Sequence, residues 1–155
     1  MYMPELTFRG DEALFNAKHK IAFLCSRDYP ASVVQKSYEW ALEQKNAGNC
    51  VVSGFHSQIE RDVLHFLLKG DQPVIMVLAR SMYKRLPDEE LKSGIEKGNL
   101  LIVSPFPDNV KRSSTYHSRK RNEFMVDLSD EVVIAHQSEG GMIAGLAINK
   151  PVYFL

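Results

Sequence analysis

Hydrophobic residues gather along the chain in six short continuous runs, with few polar residues inside them. Each run is rich in Val, Ile, Leu or Phe, which favours β-strands that are buried on both faces. The predicted strands cover 20–25, 50–53, 74–79, 100–104, 131–136 and 151–155. Strands of this kind are typical of a mostly parallel sheet, because helices then cover both of its faces.

Between these runs, apolar residues recur at the three- and four-residue spacing of amphipathic helices. This spacing predicts helices over 32–47, 59–69, 87–97 and 116–128. The pair Gly140-Gly141 predicts the start of a last short helix that closes before Pro151. Because strands and helices alternate along the whole sequence, we predict a doubly wound α/β fold of about six strands, with helices on both faces of the sheet.

Composition and charge limit the classes of partner. The 155 residues are 45% hydrophobic and 25% charged, which fits one soluble globular domain over 1–155. The formal net charge is zero, so a nucleic acid would have to be recognised by a local patch. The cysteines Cys25 and Cys50 form no CxxC pair and no histidine spacing suits a metal, so we expect neither a metal nor a cofactor. No signal peptide or membrane-length apolar run is present, which predicts a reduced, cytoplasmic protein without a membrane partner.

The predicted strands end in small, polar or basic residues, and ligands of α/β sheets bind beyond these carboxyl ends. Two turns, Ser53-Gly54 and Gly140-Gly141, lead into predicted helices, whose free N–H groups and dipole favour an anion. We therefore predict an anion cradle formed by Ser53, Gly54, Phe55, His56 and Ser57. The alternative is an ordinary strand-to-helix turn with Ser57 as the N-cap. A nucleophilic serine is disfavoured, because the sequence has no G-x-S-x-G elbow.

Basic residues stand at two strand ends and in one concentrated stretch. Arg27 and Arg80 directly follow predicted strands, where a guanidinium can bind a phosphate or form an ion pair at the rim. The stretch VKRSSTYHSRKRN, 110–122, has no acidic residue. Its basic members before Asn122 are Lys111, Arg112, Arg119, Lys120 and Arg121, and its rings are Tyr116 and His117. We predict that this stretch contacts nucleic-acid phosphates and bases; the alternative is a solvated loop.

Three segments in order resemble the Rossmann-like domain of the DNA-processing protein A family, also called Smf, in the superfamily that includes the "lonely guy" enzymes. They are LTFRGDEALFNAKHKIAFLCSR at 6–27, VVSGFHSQIERDVLHFLL at 51–68, and YHSRKRNEFMVDLSDEVVIAHQSEGGMIAGLAINKPVYFL at 116–155. The most specific piece is Arg121-Asn122 followed by Leu128-Ser129-Asp130. The resemblance implies a Rossmann-like sheet that binds single-stranded DNA in a basic pocket and forms a homodimer. The helical domains that often flank this core in the family have no counterpart in the sequence.

The family's pocket segments correspond to four residue pairs here. These are Ser26-Arg27, Ser53-Gly54, Arg121-Asn122 and Gly140-Gly141. The sequence departs from the family pattern at Cys25 and Gln58, which replace glycines, and at Glu123, which replaces an arginine. We expect Glu123 to place a negative charge beside the pocket and to weaken phosphate binding by Coulomb repulsion. The Pro-Gly-Gly-x-Gly-Thr-x-x-Glu signature of the phosphoribohydrolase branch is missing.

Three functions remain open from the sequence. The first is non-enzymatic binding of single-stranded DNA at the carboxyl edge of the sheet, as in a mediator of DNA processing or recombination. The second is binding or sensing of a small nucleotide-derived ligand at the two glycine-containing turns. The third is an N-glycosidic hydrolase that uses Glu60 or Glu139 as its acid or base.

Overall fold

One seven-stranded sheet forms the centre of the molecule. The structure is a computed structural model and describes residues 5–155. Its strands lie in the order β1-β5-β4-β3-β2-β6-β7. They are β1 (Thr7–Arg9), β2 (Lys20–Cys25), β3 (Cys50–Ser53), β4 (Val74–Val77), β5 (Leu100–Ser104), β6 (Glu131–His136) and β7 (Val152–Phe154). Strand β1 is antiparallel to β5, and all other neighbouring pairs are parallel. The predicted α/β class and mostly parallel sheet are confirmed.

The additional strand β1 was missed because a three-residue edge strand needs no apolar run. Its residues are exposed or only partly buried, and it contributes one side chain, Phe8, to the packing beneath the sheet. The predicted strand over 74–79 is also too long, since β4 ends at Val77. Leu78 and Ala79 are nevertheless buried, at 3% and 7% exposure, so hydrophobicity there marks burial and not strand pairing.

Four helices connect the parallel strands. They are α1 (Ser32–Ala47), α2 (Gln58–Leu67), α3 (Glu89–Lys97) and α4 (Thr115–Leu128), with a 3₁₀ helix at Glu12–Asn16 before β2. The chain moves from β2 towards β5 through α1, α2 and α3, and α4 then carries it back to β6 on the other side of β2. This reversal places the topological switch point between β2 and β6, where open α/β sheets form their crevice.

Each face of the sheet carries its own apolar core, because alternate strand residues point to opposite faces. In β2, Ile21 and Phe23 pack towards the face covered by α1, α2 and α3, whereas Ala22 and Leu24 pack towards α4. Phe23 stacks on Trp40 of α1, with ring centroids 4.8 Å apart. Because both faces of β2 are buried in apolar cores, the strand is apolar along nearly its whole length.

The predicted last helix after Gly140-Gly141 is wrong. This region forms isolated turns, with hydrogen bonds from Gly141 N to Ser138 O and from Leu146 N to Ile143 O. Gly140 has a φ of +71°, a left-handed conformation that interrupts a right-handed helix. Ile143 and Leu146 still pack on the core beside α4, so the apolar spacing reflects burial. The predicted helix N-terminus at this position therefore does not exist.

Candidate functional site

A cleft of about 540 Å³ opens at the carboxyl ends of β2, β3 and β6, at the switch point of the sheet. Its walls come from the end of β2, the turn before α2, the start of α4 and the turns after β6. The polar and charged residues that line it are Ser26, Arg27, Asp28, His56, Ser57, Glu60, Ser113, Ser114, Thr115, Ser118, Arg121, Asn122 and Ser138. Nearly all can donate hydrogen bonds, so the lining suits an anionic ligand.

Arg121 lies on the inward face of α4 and is the central cation of the cleft. Its side chain is buried, with 8% exposure, and its Nε donates to Asn122 Oδ1 at 2.8 Å. Its Nη1 makes only a long contact of 3.5 Å with Val77 O. Within residues 5–155, Arg121 takes part in no ion pair. Burial lowers the pKa of Arg121, and the carboxylate of Glu60 opposes this by raising the pKa.

The floor beneath this guanidinium is Gly54. A Cβ added to Gly54 would lie 2.1 Å from Arg121 Nη1 and 2.5 Å from its Cζ. Any larger residue would therefore occupy the position of the guanidinium. The guanidinium of Arg121 can lie against the turn after β3 only because residue 54 has no side chain. This close contact explains the glycine, whose φ is not positive.

The turn from Ser53 to Ser57 is already occupied by the chain's own carboxylate. Glu60 Oε1 accepts from His56 N at 2.8 Å and from Ser57 N at 3.1 Å, and its Oε2 accepts from Cys25 N at 3.0 Å. Ser57 is the N-cap of α2 and forms a capping box with Glu60. The amides that we predicted to cradle a ligand anion therefore bind Glu60 instead.

The side chains of Ser53 and Phe55 support this turn from inside. Both residues are buried, at 0% and 1% exposure, and Ser53 Oγ accepts from Phe55 N at 3.2 Å. Phe55 has a φ of +47°, which is unusual for a residue with a side chain. Neither side chain is placed to contact a ligand in the cleft, since only His56 and Ser57 of this turn line it.

Arg27 and His56 form the rim of the cleft. Arg27 Nη2 lies 3.1 Å from His56 Nε2 and donates to it when Nε2 carries no proton. Partial burial lowers the pKa of His56, and the guanidinium groups of Arg121 and Arg27 lower it further, while Glu60 raises it. Arg27, Arg121 and His56 thus face the same opening, which the carboxylates of Asp28 and Glu60 also line.

Ser26 and Asn122 hold the two sides of the cleft in place. The single hydrogen of Ser26 Oγ is shared between the carbonyl oxygens of Asp28 and His136, at 3.0 and 3.2 Å, and Ser26 Oγ accepts from Ser138 Oγ at 3.3 Å. Asn122 receives the Arg121 Nε bond and donates to Met142 Sδ at 3.4 Å. Both residues therefore orient the groups that surround the central cation.

A smaller pocket of about 260 Å³ lies on the other side of Arg121 and His56, beyond β4. Arg80 lines this pocket, donates from Nε to Ser81 O at 3.2 Å, and stacks on Tyr83 with 5.0 Å between its Cζ and the ring centroid. Arg121 lines both cavities. Arg27 and Arg80 therefore flank the same buried guanidinium from opposite sides.

The model of the family described as DNA recombination-mediator protein A matches residues 2–153 of the sequence. The chain belongs to this family. A comparison with curated proteins found no match.

Solved structures of the recombination-mediator family share the fold. DNA processing protein A of Helicobacter pylori, described for its single-stranded DNA binding mode, superposes with a TM-score of 0.77 at 24% identity, over 96% of this chain and 70% of that one. The Streptococcus pneumoniae protein superposes with a TM-score of 0.71 at 18% identity, over 96% of this chain and 54% of that one. A molybdenum cofactor binding protein of Rippkaea orientalis superposes with a TM-score of 0.60 at 14% identity, over 88% of this chain and 76% of that one.

The family's Arg-Asn-Arg segment corresponds to Arg121-Asn122-Glu123 in this sequence, and its first and third residues point to different sides of α4. Residues two apart on an α-helix point about 200° apart, so Glu123 faces away from Arg121. It lies outside the cleft and pairs with Lys120, with 3.6 Å between Oε2 and Nζ. Glu123 is therefore not part of the cleft lining, and its predicted weakening of phosphate binding stays a prediction. Of the other two departures, Cys25 lines the cleft, whereas Gln58 is exposed and donates to Asp62.

The predicted basic stretch does not form one surface. Arg121 is buried in the cleft, Arg119 lines a groove of about 830 Å³ on the outer side of α4, and Lys120 lies against Tyr116. Lys111 and Arg112 are exposed in the segment before α4. Gly141 borders both the cleft and the outer groove, and Gly140 borders the outer groove only. Lys111, Arg112, Arg119 and Lys120 are exposed, and none of them lines the cleft.

Glu60 is the residue whose role the sequence interpretation missed. It was considered only as an acid or base, although Ser57 and Glu60 have the Ser-x-x-Glu spacing of a capping box, which is readable from sequence. Glu139 is exposed and does not line the cleft. Within residues 5–155, no three His, Cys, Asp or Glu side chains form a group that could hold a metal ion. In the same range, no helix has the length and apolarity needed to span a bilayer.

Proposed function

We propose that the protein binds single-stranded DNA, with a backbone phosphate held in the cleft between Arg121 and Arg27. The observation that supports this most strongly is the buried guanidinium of Arg121, which has no carboxylate partner among the described residues and opens into two cavities. A buried cation costs free energy unless an anion compensates it. A phosphate diester would supply that anion, and the single-stranded DNA binding of the Helicobacter pylori relative agrees with this choice.

The exposed basic residues extend the proposed phosphate path. Lys111 and Arg112 are exposed directly before Ser113, which lines the cleft, and Arg119 and Lys120 are exposed on α4. They would contribute mainly through counterion release, which is independent of base sequence and sensitive to salt. The proposal therefore distinguishes one specific cation, Arg121, from a set of exchangeable surface charges.

Fluorescence anisotropy with labelled oligo-dT across a salt series tests this proposal. Arg121→Gln should weaken binding by roughly 10- to 150-fold, since a charge-assisted hydrogen bond contributes about 1.5–3 kcal/mol. It should also reduce the slope of log K against log salt by about 0.7, the value for one phosphate on a single strand. Lys36→Gln on the exposed surface of α1 removes the same charge away from the cleft and should leave both values unchanged.

Thermal unfolding of the same variants separates a binding defect from a folding defect. Because the Arg121 charge is desolvated without an ion pair, its replacement by Gln should not lower the melting temperature of the free protein, and should reduce only the shift caused by DNA. A variant that lost both binding and stability would indicate a structural role for Arg121. Failure of the wild type to bind oligo-dT at low salt would overturn the proposal.

A small nucleotide-derived ligand is the second candidate, favoured by the size of the cleft. A volume of about 540 Å³ lies within the usual range for small-molecule sites. A shift of the melting temperature by a mononucleotide, without binding of oligo-dT, would favour this function. Hydrolysis of a glycosidic bond is less well supported, because both oxygens of Glu60 accept backbone N–H groups and Glu139 lies outside the cleft.

We also propose that the protein forms a homodimer. Strand β7 is an edge strand that pairs with β6 alone among the described residues, and its Tyr153 and Phe154 are 53% and 62% exposed. An apolar edge of this kind favours association with a second chain. Sedimentation velocity would detect the dimer, and a monomer at micromolar concentration would contradict it.

A further inference from the structure

Three rings form a continuous row outside the cleft, at the carboxyl edge of the sheet. Phe106, which follows β5, contacts His117 with 5.0 Å between ring centroids and an interplanar angle of 83°. Tyr116 contacts the same His117 at 5.2 Å and 82°. We call Phe106, His117 and Tyr116 the ring row.

The ring row is held in place by the N-terminus of α4. Ser114, the N-cap of this helix, accepts from His117 N at 3.1 Å and hydrogen-bonds the ring Nδ1 at 2.8 Å. Phe106 N donates to Ser104 Oγ at 3.2 Å. Tyr116 at the end of the row is 63% exposed. Phe106 and His117 are partly buried, so Tyr116 provides the exposed face, and its edge-to-face contact with His117 restrains the ring and lowers the entropy lost when another flat group stacks on it.

The ring row continues the cleft. Ser113, Ser114 and Thr115 line the cleft, and Tyr116 is the next residue along the chain. Lys120 Nζ lies 5.7 Å from the centroid of the Tyr116 ring. A strand that leaves the cleft over these serines therefore meets an aromatic face and an ammonium group together. This combination of stacking and charge suits a chain of bases linked by phosphates.

We propose that the ring row is a stacking platform for unpaired bases of the DNA segment that emerges from the Arg121 cleft. The proposal rests on the proposed function, since it takes the same strand as ligand. Tyr116 stacks on a base, and Lys120 exchanges its exposed ion pair with Glu123 for the phosphate beside that base. The platform selects single strands, because a base within a duplex has both faces covered by its neighbours. It also tolerates any sequence, because every base has a π-face.

Ligand length and the presence of bases test the platform separately from the cleft. Anisotropy is measured with labelled dT4, with dT20, and with an abasic 20-mer of equal phosphate number. Tyr116→Ala should weaken dT20 binding by about tenfold, within the range known for base–aromatic stacking. It should leave dT4 and the abasic strand unchanged, whereas Arg121→Gln weakens all three. Tyr116→Phe, which keeps the ring, should bind dT20 like the wild type.

Leu42→Ala is the matched control, because Leu42 is also an exposed apolar residue but lies on α1. An unchanged dT20 affinity in Tyr116→Ala, while Arg121→Gln loses binding, would overturn the platform and leave the proposed function intact. An equal loss for dT20 and the abasic strand would also overturn stacking, since no base is then involved. If the wild type binds none of the strands at low salt, both proposals fail.

Discussion

A methyl group added at Gly54 would test the central cation without touching its charge. The φ of Gly54 is not in the left-handed region, so alanine fits the backbone there, and the clash with Arg121 is the main change. The new Cβ would lie 2.1 Å from Arg121 Nη1, against about 3.4 Å for ordinary van der Waals contact. The guanidinium must therefore move by about 1.3 Å.

A displacement of this size is large for a hydrogen bond. The Nε contact with Asn122 Oδ1 measures 2.8 Å, and a charge-assisted bond loses most of its strength when its donor moves by more than 1 Å. We expect Gly54→Ala to remove the phosphate contact of Arg121, which corresponds to about 1.5–3 kcal/mol or roughly 10- to 150-fold in Kd. The flexible arginine can relocate, so the free energy of unfolding should change by only about 1 kcal/mol.

Anisotropy with oligo-dT at fixed salt measures the effect, and Gly145→Ala is the matched control. A Cβ at Gly145 would meet no atom closer than 3.7 Å. A double-mutant cycle adds a sharper criterion. If Gly54→Ala acts through Arg121, it should have no further effect on binding in the Arg121→Gln background. A Gly54→Ala variant that binds within twofold of the wild type would refute the assignment of Arg121 to the phosphate.

Two further predictions concern the groups around this cation. Glu60→Gln should lower the free energy of unfolding by about 2 kcal/mol, because the buried carboxylate accepts three backbone N–H groups. Urea denaturation measures this change, and Glu43→Gln, at an exposed position, is the control. Equal denaturation midpoints for Glu60→Gln and the wild type would contradict the prediction. Partial burial and the charges of Arg121 and Arg27 lower the pKa of His56 in the folded chain, and Glu60 opposes this shift. Just below a pH of about 6.5, the ordinary pKa of histidine, His56 therefore binds more protons in the unfolded chain than in the folded one. The stability contributed by neutral His56 is complete above that value and is lost as the pH falls through the window below it, so His56→Gln should lose less stability than the wild type between about pH 7 and pH 5.

Much of the fold could be predicted because each strand is buried on both faces. That packing makes an entire strand apolar, as in β2, where Ile21 and Ala22 serve different cores. The pattern fails where burial and secondary structure separate. Thr7–Arg9 pairs with β5 while burying little, and the turns after Gly140 bury Ile143 without forming a helix. Hydrophobicity reports burial directly, and it reports strand or helix only through the regularity of packing.

The sequence indicates several residues of the candidate site, but it does not indicate the contacts that they make. Strand ends indicate Arg27 and Gly54, and the family resemblance adds Arg121; Arg121 lies against Gly54 and lines the cleft together with Arg27. Sequence spacing cannot show that the carboxylate of Glu60 reaches back to backbone amides at two separate strand ends. Such contacts depend on three-dimensional closure of the turn and not on residue type.

The position of Glu60 bears on the class of ligand. In dinucleotide-binding Rossmann folds, a pyrophosphate binds backbone amides at the N-terminus of a helix. Here the amides of His56 and Ser57 bind the internal carboxylate, whose charge also repels a second phosphate at that position. The cations that remain, Arg121 and Arg27, suit one singly charged phosphate at a time. This favours the diester backbone of a nucleic acid over a nucleoside diphosphate, and a melting-temperature shift with ADP equal to that with oligo-dT at the same phosphate concentration would contradict it.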